Sequence, residues 1–248
     1  TDGADESSGS VAIGKASRAA VTSGAKNTAV GFQSGTAITT GSSNVALGYT
    51  ALDALVSGDN NIAIGDSALG GMTDTGGSCD DNIAIGNDAL LVAGTSSNVS
   101  HSNISIGSDA GKALSTGDEN VFIGKGAGAA TVDVDGAVII GFGAGAANMT
   151  SGADVTTAIG YEAAAALTSG AGNIAIGYRA LKTHTTGSRN IAIGYGAMQD
   201  TDADDCPTSI DNIFIGYNAG GGTSSNAWDN DDSNYNVGVG NYVMSRPM

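Results

Sequence analysis

The stretch that decides the fold is residues 173–194, NIAIGYRALKTHTTGSRNIAIG, in which the phrase NIAIG occurs twice at a distance of seventeen residues. Variants of this phrase run through the chain of 248 residues, and each variant closes on a glycine. Seven of the twelve steps between closing glycines are seventeen residues, and the other five are longer by two to seven. A short fixed period of this kind is the signature of a solenoid. The closing glycines are Gly14, Gly31, Gly48, Gly65, Gly86, Gly107, Gly124, Gly141, Gly160, Gly177, Gly194, Gly216 and Gly240.

Each phrase has the pattern of a short β-strand. With the closing glycine numbered zero, position −3 is Val, Ile or Thr in all thirteen copies, and position −1 is Ile, Val or Leu. Alternation with β-branched residues on one face is typical of a strand, and the glycine marks its end at a bend or a positive φ. A second apolar stretch, such as residues 178–181, predicts a second strand, and a cluster such as residues 186–189 predicts a turn.

The interior predicted for such a coil is narrow. We expect the Ile and Val ladders at positions −3 and −1 to fill it. Position +3 is Ala in ten of thirteen copies, and position +4 is mostly Leu, Met or Gly. We predict that this small apolar stripe closes a seam between copies of the chain, around a threefold axis. The alternative is that the stripe lines a second inner wall of a monomeric coil.

Position −4 is Asn in ten of the thirteen copies, which predicts an amide ladder from coil to coil. Ser10, Ala137 and Thr156 interrupt it, so we expect the ladder to be weakest at the first, eighth and ninth copies. The fold class predicted is therefore all-β: a parallel β-solenoid of about thirteen coils. The ladder residues are Asn27, Asn44, Asn61, Asn82, Asn103, Asn120, Asn173, Asn190, Asn212 and Asn236.

The predicted organisation is a lead-in at residues 1–9 followed by one repeat array at residues 10–248. No polar cap is recognisable at either end of the array, which suggests a piece of a longer fibre.

The charge of the chain argues against nucleic acid as a partner. It has 25 acidic and 9 basic residues, for a formal net charge of −16, whereas phosphate backbones are bound by Lys and Arg. The sequence has no apolar segment of the length that inserts in a membrane. It also has no nucleotide-binding, metalloprotease or serine-hydrolase motif, so we predict no enzymatic activity and no organic cofactor.

Two patterns suggest ligands, and each has a plainer interpretation. The acidic run holding Asp200, Asp202, Asp204 and Asp205 is either a solvated loop or a source of oxygen ligands for Ca²⁺. Position +1 is aromatic in five successive copies, and in-register stacking would place those rings in one stripe. The stripe either covers a seam or forms an exposed track that binds glycan rings. Its members are Phe142, Tyr161, Tyr178, Tyr195 and Tyr217.

The repeat resembles two groups of fibrous proteins. Its phrase is similar to the head repeats of trimeric autotransporter adhesins, and more similar to repeat arrays in bacteriophage tail fibres, which combine such phrases with Thr-Thr-Gly-Ser turns. The resemblance covers residues 10–244. It implies a homotrimer of left-handed parallel β-rolls that serves as a shaft or a binding head, located outside the cell or on the virion surface.

The expected function is therefore that of a structural and adhesive fibre segment that attaches to a glycan or protein receptor on a host surface. A bacterial adhesin head or a self-assembling extracellular filament are alternatives within the same class. An ice-binding solenoid requires a flat ladder of Thr, but the Thr residues here are scattered. A hexapeptide-repeat acyltransferase requires three phrases per coil and a catalytic His, whereas this repeat has one phrase per coil and neither His101 nor His184 lies in the strand phrase.

Overall fold

The computed structural model describes residues 9–18, 20, 22–73, 79–91, 100–199, 209–221 and 234–245. These residues form an all-β parallel β-solenoid, as the period predicts. The chain divides into two compact units, Thr1–Glu119 and Asn120–Met248. Of the predicted lead-in, only Gly9 lies within the described residues.

Each copy of the repeat contributes one strand of three residues, at positions −3 to −1. The described residues contain thirteen such strands. In the same residues, the helical structure is limited to one 3-10 turn at Ser151–Ala153. The strands of the first unit are β1 (Val11–Ile13), β2 (Thr28–Val30), β3 (Val45–Leu47), β4 (Ile62–Ile64), β5 (Ile83–Ile85) and β6 (Ile104–Ile106). Those of the second unit are β7 (Val121–Ile123), β8 (Val138–Ile140), β9 (Thr157–Ile159), β10 (Ile174–Ile176), β11 (Ile191–Ile193), β12 (Ile213–Ile215) and β13 (Val237–Val239).

Neighbouring strands within a unit are parallel and in register, as predicted. Ile62 of β4 pairs with Val45 of β3, which is the equivalent residue one coil earlier. Ile191 of β11 pairs with Ile213 of β12 although that step carries five extra residues. The insertions therefore leave the register of the strands unchanged.

The closing glycine is required for two physical reasons. At Gly65 φ is +138°, and a Cβ built there would overlap the carbonyl group of Gly86 in the next coil. All thirteen closing glycines have φ between +125° and +149°. This region is essentially closed to residues with a Cβ. At closing glycines followed by another coil, such as Gly65, the close approach also leaves no room for a side chain, whereas Gly240 in the last copy has no atom within 4 Å of such a Cβ. The glycine therefore ends the strand and also sets the spacing between coils.

The apolar stretch after the closing glycine is not a second strand, so that prediction is wrong. Residues 178–181 form turns, with φ of +57° at Arg179 and +51° at Leu181. The backbone nevertheless bonds between coils, because Arg179 N–H donates to Tyr161 O (2.9 Å) and Leu181 N–H donates to Ala197 O (3.0 Å). A left-handed residue costs roughly 1–2 kcal/mol. Bonds and packing between coils must hold these residues in place.

The interior of each coil is lined by small side chains and a few large ones. The Ala residues at positions −2 and +3 are buried, except Ala12 in the first strand, as Ala63 and Ala68 show in one coil. The larger buried side chains in that coil are Leu69 at position +4 and Met72 at position +7. Position +7 was not identified from the sequence as a core column. It also holds Ile38, Leu55, Leu114 and Leu167.

Positions −2 and +4 of one coil compensate for each other in size. Where −2 is the small Ala63, position +4 is the large Leu69, and both are buried. Where −2 is Phe122, position +4 is Gly128, and a Cβ on that glycine would lie 2.5 Å from the Phe122 ring. Phe214 and Gly220 repeat the arrangement, with a corresponding distance of 2.7 Å. Since protein interiors are close-packed, the two positions share one volume in these coils. The relation does not extend to every coil, because position +4 is also small beside Ala29 and Ser105, where it holds Gly35 and Gly111.

Candidate functional site

The strands present their Ile and Val side chains to the outside, which overturns the prediction that these residues fill the interior. The typical burial along a strand is half-buried, buried, half-buried, as at Ile62–Ile64. All 26 side chains at positions −3 and −1 are half-buried or exposed. Leu47 is 43% exposed although β3 has a neighbouring strand on each side within the first unit, and Ile106 in the last strand of that unit is 37% exposed. We call this outward surface of each unit the apolar strip.

The apolar strip is long, continuous and uncharged. No strand position holds Asp, Glu, Lys or Arg. Parallel strands lie about 4.8 Å apart, so the strip is roughly 24 Å long in the first unit and roughly 29 Å long in the second. Each strip therefore covers on the order of a few hundred Å², a size at which apolar patches usually mark an interaction surface.

The stripe at positions +3 and +4 faces inward, so its predicted role as a seam between copies is wrong. Ala51 and Leu52 are both fully buried within a single chain, and so are Ala89 and Leu90. The alternative holds instead: the stripe lines a second inner wall of the coil. A surface that joined copies of the chain would therefore have to lie elsewhere.

The structure stacks the five aromatic rings at position +1 into one column, which we call the aromatic ladder. The ring centroids of successive members lie 5.3, 5.2, 4.6 and 5.1 Å apart, with interplanar angles of 9° to 16°. Tyr242 closes one end edge-on against Tyr217, at 5.2 Å and 67°. The members in chain order are Phe142, Tyr161, Tyr178, Tyr195 and Tyr217.

The aromatic ladder is partly exposed, but its ring faces are occupied by one another. Phe142 is 51% exposed and Tyr195 is 47% exposed. A sugar ring usually packs on an aromatic face, whereas the stack offers a ligand mainly ring edges and hydroxyl groups. Binding of glycans at the ladder stays a prediction.

A small ion-pair network borders the aromatic ladder. The Arg179 guanidinium lies 4.9 Å from the centroid of the Tyr178 ring, within the range of a cation–π contact. Arg179 Nε also lies 2.9 Å from Glu162 Oε2, and Lys182 Nζ lies 2.7 Å from the same oxygen. The hydrogen bond from Lys182, together with that from Arg179, holds the pKa of Glu162 below its ordinary value. The network fixes Arg179 beside the ring.

The Asn residues at position −4 form a buried ladder in each unit. Asn61 shows the geometry: its backbone N–H and its Nδ2 both donate to Asn44 Oδ1, at 2.8 and 3.1 Å. Nδ2 of Asn61 also donates to Cys79 O at 2.8 Å, and Oδ1 accepts the Asn82 N–H at 3.0 Å. Each carboxamide thus ties its own strand to the previous strand and to the turn of the next coil. Nine of the ten ladder residues are fully buried; Asn236 is half-buried.

The three interruptions of the ladder differ in what replaces the amide. Ser10 Oγ still accepts the Asn27 N–H at 3.0 Å. Ala137 donates its N–H to Asn120 Oδ1 at 2.9 Å but has no polar side chain to continue the ladder. At the third interruption, Thr156 Oγ1 is buried without a hydrogen-bond partner. A buried unsatisfied hydroxyl costs about 1–3 kcal/mol, so the ninth copy is a weak point.

Side chains at position −6 form a further ladder in the turns, which we call the turn ladder. Asp59 Oδ1 accepts the backbone N–H of Ser42 at 2.6 Å, and Asp80 Oδ1 accepts that of Asp59 at 2.7 Å. His101 Nδ1 continues the series by accepting the Asp80 N–H at 3.2 Å, and Asp118 accepts the His101 N–H at 2.6 Å. The turn acids therefore bond successive coils, in addition to providing surface charge.

The second histidine is also part of the scaffold. His184 is fully buried, and its Nε2 lies 3.2 Å from Nδ2 of the ladder residue Asn190. Both imidazoles therefore take part in contacts between or within coils.

The predicted calcium ligands, Asp200, Asp202, Asp204 and Asp205, lie outside the described residues. Within the described part of the chain, no three His, Cys, Asp or Glu side chains are grouped so that they could hold a metal ion. In the same residues, no helix has the length and apolar character needed to cross a membrane.

Comparison with known proteins identifies no relative of the chain. No protein-family model, curated protein or solved structure matches the chain.

Proposed function

We propose that the chain is a structural and adhesive segment of an extracellular or virion fibre, and that it assembles as a homotrimer through its apolar strips. The observation that carries the proposal is the outward Ile and Val surface of the strands. Burying about 300 Å² of apolar surface contributes on the order of 5–10 kcal/mol before the cost of association. A second copy of the chain is the natural partner, because its strip has the same repeat and the same lack of charge.

The rest of the molecule supports a scaffold. The Asn ladder, the turn ladder and both His side chains are engaged in hydrogen bonds along the coils. Acidic side chains occupy the turns, where their charge favours solubility and disfavours sideways association of fibres. A bacteriophage tail fibre and a bacterial adhesin head both fit this description.

Matched charge variants test the assembly. Ile62→Glu with Ile83→Glu places two carboxylates on the apolar strip, where a single chain exposes them to water but an interface would bury them at high cost. The control, Ser23→Glu with Thr40→Glu, adds the same charge at exposed turn positions. We expect sedimentation velocity to give three times 24.1 kDa for the unmodified chain and the control, and 24.1 kDa for the strip variant. A strip variant that keeps the mass of the unmodified assembly would refute the proposed interface.

Attachment is tested separately. Tyr178→Ala and Tyr195→Ala remove two neighbouring rings of the aromatic ladder, while Tyr49→Ala removes a ring from the other unit as a control. We expect binding to an array of host-surface glycans to fall with the first two variants only. Unchanged binding would assign the aromatic ladder a purely structural role.

A further inference from the structure

We propose that the tyrosines of the aromatic ladder are a site of oxidative cross-linking, at which Tyr178 and Tyr195 join as a dityrosine and link two successive coils covalently. These two rings are the closest pair of the ladder, with centroids 4.6 Å apart and planes inclined by 15°. Both belong to the second unit, and both side chains reach the surface.

The geometry matches what the reaction requires. The two phenols are already stacked face to face, so the radical-bearing carbons beside each oxygen oppose each other across the stack. Coupling then requires the two rings to move together and to turn out of the stack as the C–C bond forms. Tyr161 and Tyr217 continue the stack on either side, at 5.2 and 5.1 Å, so that an oxidised ring always has another phenol as its neighbour. In-register β-strands hold the two side chains on equivalent positions of adjacent coils, because Ile176 of β10 pairs with Ile193 of β11.

The reaction requires a one-electron oxidant of the peroxidase type, which uses hydrogen peroxide as its oxidising substrate. Each phenol loses one hydrogen atom, as an electron and a proton, and becomes a phenoxyl radical with spin density on the ring carbons beside the oxygen. Those carbons form one C–C bond, and the hydrogens they carry move to the two oxygens, which restores both phenols. The protein loses two hydrogen atoms in all, and one hydrogen peroxide becomes two waters.

The first unit supplies an internal control. Tyr49 stacks on Phe32 with centroids 5.4 Å apart and an interplanar angle of 8°. Tyr49 is 54% exposed, so the oxidant reaches it, but its stacked neighbour has no phenolic hydroxyl group. The same stacking geometry therefore cannot yield a dityrosine there.

The position of the basic residues makes the product identifiable. Trypsin cleaves after Lys125, Arg179, Lys182 and Arg189, which places Tyr178 in the fragment 126–179 and Tyr195 in a fragment that begins at residue 190. Coupling of Tyr161 with Tyr178, or of Tyr195 with Tyr217, stays within one fragment. A link between the two fragments therefore excludes these two couplings, and its loss in the single variants of Tyr178 and Tyr195 assigns it to the proposed pair.

The experiment treats the intact, assembled protein with peroxidase and hydrogen peroxide, isolates the single-chain band from a denaturing gel, and maps the tryptic fragments by mass spectrometry. We expect the two fragments joined with the loss of two hydrogen atoms, and the joined product lost in both Tyr178→Phe and Tyr195→Phe. These variants keep the ring stack, so loss of folding does not explain the result. Absence of the joined fragments, their persistence in either variant, or links found only between separate chains would overturn the proposal.

Discussion

The size compensation between positions −2 and +4 gives a sharp test of how the coil interior is packed. Phe122→Ala empties the space of a fully buried ring, which typically costs about 3–5 kcal/mol. Gly128→Leu alone forces a side chain into that ring, since a Cβ at this position lies 2.5 Å from it, and overpacking costs about 1–3 kcal/mol. The double variant recreates the Ala and Leu combination of Ala63 and Leu69.

We expect the double variant to be far more stable than the sum of the two single changes implies. Its residual cost is that of a leucine in the left-handed region, roughly 1–2 kcal/mol, a conformation that Leu69 already adopts at φ +51°. The coupling free energy between the two positions should therefore reach about 3 kcal/mol. Urea denaturation of the wild type, both single variants and the double variant measures it.

A mismatched pair provides the control for this cycle. Phe122→Ala combined with Gly220→Leu changes the same residue types in different coils, because the partner of Gly220 is Phe214. Those two changes should add within about 0.5 kcal/mol. If the matched pair were also additive, the idea that the two positions share one volume would be wrong.

Three further tests, with five substitutions, probe other parts of the scaffold. Asn61→Ala should lower the free energy of unfolding by at least about 2 kcal/mol, because it leaves a buried N–H of the next coil without its acceptor. Thr156→Asn should raise the free energy of unfolding by about 1 kcal/mol by restoring the ladder. Chemical denaturation measures both variants, and equal effects would contradict the ladder. Gly65→Ala should lower the stability of the fold by at least about 3 kcal/mol through its clash with the neighbouring coil. Gly126→Ala, whose Cβ would meet nothing within 4 Å, should lower it by only about 1–2 kcal/mol. Thermal melts compare the two variants. Because the pKa of Glu162 in the fold lies below its ordinary value of 4.5, the ion pairs of Glu162 contribute their full stability above pH 4.5, and this contribution is lost as the pH falls through the lower folded-state pKa. An acid titration of Glu162→Gln should therefore show a flatter loss of stability in that range. An unchanged curve would count against the network.

The period alone predicted the strands and their register, because each depends on a pattern repeated thirteen times. Alternation divides a strand into two faces but does not say which face is inside. Hydrophobicity favoured Ile62 and Ile64 as the interior residues, yet the structure buries Asn61 and Ala63. The narrow coil admits the smaller pair, and the carboxamide finds hydrogen-bond partners there.

The left-handed turns could not be predicted from residue type. Leu181 and Arg179 have no intrinsic preference for positive φ, and bonds to the neighbouring coils hold them there. The compensation in size was visible in the sequence as Phe122 followed six residues later by Gly128, but its meaning depends on knowing that both side chains point inward. The turn ladder was missed because Asp59 and His101 share a role only through their position.

The proposed assembly depends on the outward Ile and Val strips joining copies of the chain. A density map of the assembled protein, from crystals or from single particles, tests it most directly. We expect three copies whose strips face a common axis, with side chains such as Ile62 and Ile174 fully covered. A single copy, or an assembly in which the strips face solvent, would contradict it.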